Sequence, residues 1–150
     1  MHLLRSVTLS LALAVLIGQE LSVAAPPKAP LITPDRQALV GRWFGEDYQP
    51  SSREVTKWLM DRRSDGTFTV TFKGSPPAPL SVETGTWTRR GLMYSTRTTT
   101  VDGLATDPDD PYYYDDYQLE DVTDTRMVYF HVKQKARYHS KRVSSDFRMP

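Results

Sequence analysis

Residues 67–72 read Thr-Phe-Thr-Val-Thr-Phe, with polar and apolar side chains in strict alternation. Successive side chains of a strand point to opposite faces, so Phe68, Val70 and Phe72 share one face and the threonines the other. Ser64-Asp65-Gly66 stands just ahead, and Asp-Gly between two apolar runs is the strongest short-range hairpin signal. This unit sets the pattern for most of the chain. Further strands are expected over 39–48, 55–63, 80–88, 92–101, 112–122, 126–134 and 136–143, with turns at 49–52, 89–91 and 123–124. No stretch sustains a helical period, although 35–39 has room for one helical turn. Closing such a meander removes both exposed edges. The expected fold class is therefore all-β, an antiparallel up-and-down barrel of about eight strands. An open β-sandwich is the competing arrangement.

The ends of the chain are of a different character. Met1 to Arg5 carry one fixed positive charge, residues 7–17 are uncharged and rich in Leu, Ala and Val, and small residues follow at Ser22, Ala24 and Ala25. That order is the pattern of a secretory signal peptide, and its apolar run is well short of the roughly 20 residues that span a bilayer. Residues 1–24 are read as a signal peptide cleaved after Ala24, leaving no transmembrane segment. With no cysteine in the chain, a lipid anchor, a disulfide and a thiol nucleophile are all unexpected. The product is expected to be periplasmic or secreted. Pro26, Pro27, Pro30 and Pro34 make 25–38 an extended leader, so a single domain is expected over 39–150, with 144–150 as a loose tail. That domain must be held by its core alone.

The opening strand carries Gly41-Arg42-Trp43, followed by an aromatic and Gly45. A Gly-x-Trp at this place in an exported all-β domain resembles the lipocalin family and its shorter bacterial lipocalin-like relatives. Gly85-Thr86-Trp87 with Gly91, the segment 58–67, and Asp107-Pro-Asp-Asp-Pro111 resemble small exported bacterial proteins with lipocalin-like domains. The resemblance covers about 39–143. It implies that Trp43 closes the floor of the barrel and that an arginine near the last strand, Arg137 or Arg142, lies across it. A guanidinium over an indole face gains cation–π energy while its edge stays hydrated.

Nine acidic residues from Asp102 to Asp124 precede Arg126, and a basic run from Lys133 to Arg142 follows. The acidic segment lacks the glycine and terminal glutamate of a calcium hand, and Pro108 and Pro111 stiffen it, so it reads as a solvated loop. The basic run reads as the cross-strand partner of the acidic one. Net charge is +1, which gives no general bias toward nucleic acid, and none is expected as a partner. His131 and His139 read as ordinary strand histidines, and no metal site is expected. No Gly-x-Ser-x-Gly, phosphate loop, His-Glu-x-x-His or dinucleotide fingerprint is present, so neither a cofactor nor enzymatic activity is expected.

These readings converge on a non-enzymatic binding protein. Its partner is expected to be a small apolar ligand inside the barrel or an envelope protein at the rim. Trp43, Phe68, Val70 and Phe72 are the expected interior contacts, and Tyr114, beside Asp115 and Asp116, the expected contact at the rim. The alternatives are an inhibitor of an exported hydrolase or an envelope-assembly factor, acting through the rim, and a small enzyme with a polar interior. An interior holding His131, His139 or Arg62 in place of Phe68, Val70 and Phe72 would favour the enzyme.

Overall fold

The structure, a computed structural model, describes residues 35–49, 53–77 and 79–150. The expected signal peptide, the leader as far as Pro34, and turn residues 50–52 lie outside the described residues. The strands are β1 (Gly41–Gln49), β2 (Glu54–Arg62), β3 (Thr67–Lys73), β4 (Leu80–Arg90), β5 (Met93–Val101), β6 (Leu104–Ala105), β7 (Tyr114–Val122), β8 (Arg126–His131) and β9 (Ala136–Val143). Their order in the sheet is β4-β3-β2-β1-β9-β8-β7-β5-β6, and β4 pairs again with β5. Eight strands thus close into an antiparallel barrel, with β6 as a short extra strand on β5. The closing seam joins β1 to β9, from Arg42 opposite Val143 to Gly45 opposite Ser140. The open sandwich is thereby set aside. Register shifts at Thr84/Gly85 and Leu119/Asp121 supply local bends, as bulges do where a sheet must curve.

The period-2 pattern decides which side chains enter the barrel. Trp58, Met60 and Arg62 from β2 sit opposite Phe72, Val70 and Phe68 from β3, all on the inner face. Leu119, Met127 and Tyr129 complete the buried core on the far wall. Asp65-Gly66 forms the expected tight turn between β2 and β3, and Gly66 adopts φ +90°, a conformation that glycine takes without strain. Asp65 Oδ1 accepts the Thr67 amide at 2.8 Å and so fixes the turn.

One end of the barrel is sealed. A 3-10 turn at Arg36–Leu39, capped by Asp35, tucks the fully buried Leu39 beneath the strands. Trp43 Nε1 donates to the Leu39 carbonyl at 3.0 Å. The Arg142 guanidinium lies 4.3 Å from the Trp43 ring centroid and donates to the carbonyls of Ala38, Val40 and Asp124 at 2.6–2.8 Å. A second pair stands beside it: Arg36 lies 4.7 Å over the ring of Trp87, whose Nε1 donates to the Arg63 carbonyl at 3.1 Å. The domain boundary is corrected accordingly. Residues 35–38 belong to the floor and not to the leader, because the Ala38 carbonyl is an acceptor for Arg142 and Arg36 covers Trp87.

The carboxyl-terminal residues are corrected as well. Phe147 packs on the outward-facing Phe44 at 5.2 Å between centroids, and Arg42 donates to the Ser144 carbonyl at 3.3 Å. An apolar ring on the outer face of β1 needs a cover, and the tail supplies it.

Candidate functional site

The opposite end of the barrel is open and leads into an internal cavity of about 760 Å³. The cause is visible in the inward-facing residues. At the floor these are large: Trp43, Trp87, Phe68 and Leu119. Above the floor several inward residues are small, with Thr96 and Thr98 on β5 and Ala136 on β9. Small residues on an inner face leave space that the aromatic walls do not fill. Tyr48, Tyr112 and Gln134 stand around the mouth, and Trp58, Met60, Phe68, Val70, Phe72 and Tyr129 make the walls.

Polar groups are set into this apolar chamber. Arg62, at the inner end of β2, is only 2% exposed. Its Nη2 donates to the Tyr94 hydroxyl at 3.2 Å, and its guanidinium carbon lies 4.9 Å from the Tyr94 ring centroid. Nε and Nη1 of Arg62 are buried with no protein partner. Burial pushes the Tyr94 phenol up to about 12, and Tyr117 and Tyr129 are also raised well above the ordinary phenol value by burial. All three rings therefore stay protonated at neutral pH. Tyr94 stacks on Tyr117 at 4.6 Å and meets Tyr129 edge-on at 5.9 Å. Glu83 lines another part of the wall. Burial raises its carboxyl above the usual range, although the Thr98 hydroxyl donates to it at 3.0 Å.

Nearer the mouth, His131 is buried beside Asp115. Nε2 stands 3.3 Å from Asp115 Oδ1, and Nδ1 accepts the Gln134 amide at 3.2 Å. Burial lowers the imidazole pKa, and Asp115 works against that shift. The neutral ring with its proton on Nε2 satisfies both contacts. Both nitrogens are thus engaged, so the pair acts as a clasp between β7 and β8 and leaves no free base.

Of the residues singled out by sequence, Phe68, Val70 and Phe72 line the cavity. Trp43 does not. Arg142, Leu39 and the first 3-10 turn seal it into the floor, below the chamber. Tyr114 is also outside. It is the first residue of β7, its hydroxyl donates to the Pro108 carbonyl at 3.1 Å, and Arg97 covers its ring. Tyr112 and Tyr113 line the mouth instead, because Asp110 and Pro111 start a 3-10 turn that delays β7 by two residues. Arg137 is not the floor arginine. It faces outward and holds Glu120 through Nε and Nη2, the latter at 2.8 Å.

Sequence reasoning named Arg62 only as a marker of a polar interior. It missed Tyr94, Tyr129 and Glu83 as interior groups. The signal for Tyr94 was the alternation of Tyr94, Thr96 and Thr98 along β5. The interior holds Arg62 and His131 together with Phe68, Val70 and Phe72, whereas His139 is exposed.

The acidic segment spends its carboxylates locally. Asp102, Asp107 and Asp110 accept the backbone amides of Val82, Asp109 and Tyr112 at 2.7–2.9 Å. Asp121 pairs with Arg126 in the β7–β8 hairpin. Among the described residues no group of three His or acidic side chains is placed to hold a metal ion, and no helix is long and apolar enough to cross a membrane. No protein-family model matches the chain, and no curated protein is significantly similar to it.

Proposed function

We propose that this is a non-enzymatic, exported, lipocalin-like binding protein that holds a small, largely apolar molecule inside its barrel. The observation that carries the reading is the one-ended cavity of about 760 Å³, walled by Trp58, Met60, Phe68, Val70 and Phe72. Ligand chambers are commonly of this size and are mostly apolar with a few placed polar groups. The engaged ring nitrogens of His131 favour binding over proton-transfer chemistry. Export rests on the amino-terminal signal pattern.

The test uses Nile red, a neutral apolar dye that brightens in a dry site. Purified mature protein is expected to bind it, and Ala136→Trp, which adds bulk at the mouth, is expected to weaken binding. Native mass spectrometry of the protein from its own cells is expected to show an added mass. Absence of both dye binding and a bound mass would refute the internal ligand.

Tyr48 and Tyr112, 55% and 79% exposed at the mouth, favour a second reading in which a protein partner docks on the rim. Tyrosine suits such surfaces by giving contact area at low entropic cost. A partner of this kind would be retained by the native protein and lost from a Tyr48→Ser/Tyr112→Ser variant whose dye binding is intact.

A further inference from the structure

The deep end of the chamber is built around Arg62, a charge in contact with no carboxylate among the described residues, although Glu83 and Asp115 line the same chamber. Arg62 is 98% buried, lines the cavity, and takes part in none of the ion pairs among the described residues. A guanidinium has five N–H donors, and here one is taken, by Tyr94. Whichever of the two Nη2 protons Tyr94 receives, an adjacent pair of parallel N–H groups remains free for a second partner. Two parallel donors match the two oxygens of a carboxylate. The Tyr94 hydroxyl, accepting from Arg62, keeps its own proton to donate. Its raised pKa means that it remains a donor at neutral pH.

A buried charge without a partner is unfavourable for folding, and a hydrophobic residue at position 62 would complete the apolar wall of Phe68 and Tyr129. The chain instead places an arginine at the far end from the mouth. From Thr56 at the mouth to Arg62 is six residues of β2, roughly 20 Å of strand at ~3.3 Å per residue and about 15 Å along the axis of a tilted barrel. A molecule seated with its acidic end on Arg62 would lay its apolar body along Met60, Val70, Phe72 and Trp58.

We propose that the ligand is an apolar monocarboxylic acid, bound head-down with its carboxylate on Arg62 and Tyr94. The proposal rests on the chamber reading above and adds the charge and the orientation of the ligand.

The experiment is displacement of Nile red from the whole mature protein by dodecanoate, 1-dodecanol and methyl dodecanoate, which share one chain length and differ at the head. Dodecanoate is expected to compete about tenfold or more better than either neutral compound, the worth of one charged hydrogen-bonded contact. Arg62→Gln is expected to bring acid and alcohol within about twofold of each other, mainly by weakening the acid. Tyr94→Phe keeps the ring over the guanidinium and is expected to weaken the acid severalfold while sparing the alcohol. Equal competition by acid and alcohol on the unaltered protein would overturn the proposal and leave the apolar chamber standing. So would an acid preference that survives Arg62→Gln. Failure of all three compounds and of the dye would overturn the chamber itself. The comparison on the unaltered protein decides the matter even if a variant fails to fold.

Discussion

Arg137 and Arg142 stand five residues apart on β9, and that odd spacing sends them to opposite faces. Tyr138, Ser140 and Arg142 turn inward, whereas Arg137 reaches Glu120 on the outside. Arg142 ties three carbonyls and an indole together, so Arg142→Gln is expected to cost about 2–4 kcal/mol, read as a lower urea midpoint. Arg137→Gln removes one exposed ion pair and is expected to leave the midpoint unmoved. Equal effects of the two substitutions would contradict this assignment. The sequence narrowed the floor arginine to these two and went no further. Its alternation is equally regular in either phase, and only the pairing of β9 with β1 fixes which phase faces in. Gly45 was legible as part of a motif but not as a contact. A methyl group there would be driven into the indole of Trp58 and would meet the His139 carbonyl at 2.8 Å. Gly45→Ala is therefore expected to lose about 1–3 kcal/mol, as overpacked sites do, and to shift the Trp58 fluorescence.

At the scale of elements, β7 and β8 are held at the mouth by the His131–Asp115 clasp and by the Val132 amide on the Asp116 carbonyl at 2.9 Å. The lowered pKa of His131 carries a pH signature. In the folded chain the imidazole resists protonation, mainly through burial, while the unfolded chain takes up a proton near the ordinary value of about 6.5. Below that value the unfolded state binds more protons, so stability falls with pH in this window. The urea midpoint is expected to be level from about pH 8 to 7 and to decline from about 6.5 downward. His131→Gln should flatten that decline. A decline that persists in this variant would place its origin elsewhere. Glu83 works the other way at more acidic pH, because its raised carboxyl pKa lets the folded state take up a proton first. The strands themselves were largely legible, since most end at Gly, Pro, Asp or Thr turn chemistry. β8 is the exception, stopping at His131 where a strand to 134 was expected. Val132, Lys133, Gln134 and Lys135 make the turn there, with Lys135 at φ +55°, and carry none of those signals. The start of β7 was not. Tyrosine is an equally good strand former at 112, 113 and 114, and the 3-10 turn comes from Asp110 capping the Tyr112 amide at 2.8 Å.

For the molecule as a whole, alternation and strand number foretold the barrel, but the cavity depends on something alternation does not carry. Hollowness follows from the sizes of residues that meet across eight strands, and that meeting is known only once the register is known. The same holds for the floor. Pro34 and the prolines before it make everything ahead of Leu39 look like spacer, yet 35–39 is the plug on which the sealed end depends. Leu39 is fully buried, its carbonyl receives Trp43, Ala38 receives Arg142, and Arg36 covers Trp87. A chain beginning at Val40 therefore loses a core leucine and leaves the Trp43 indole N–H without its acceptor. Compared with a chain beginning at Asp35, it is expected to be destabilised by about 3–5 kcal/mol, the sum of a leucine-sized cavity and one unpaired buried donor. Urea unfolding of the two chains checks this. Equal midpoints would mean that the strands seal the floor alone and that the 3-10 turn is only a lid. The mouth lies at the other end of every strand, so Nile red should still bind whatever fraction of the shortened chain remains folded. Loss of dye binding from folded protein would show that floor and chamber form one cooperative unit.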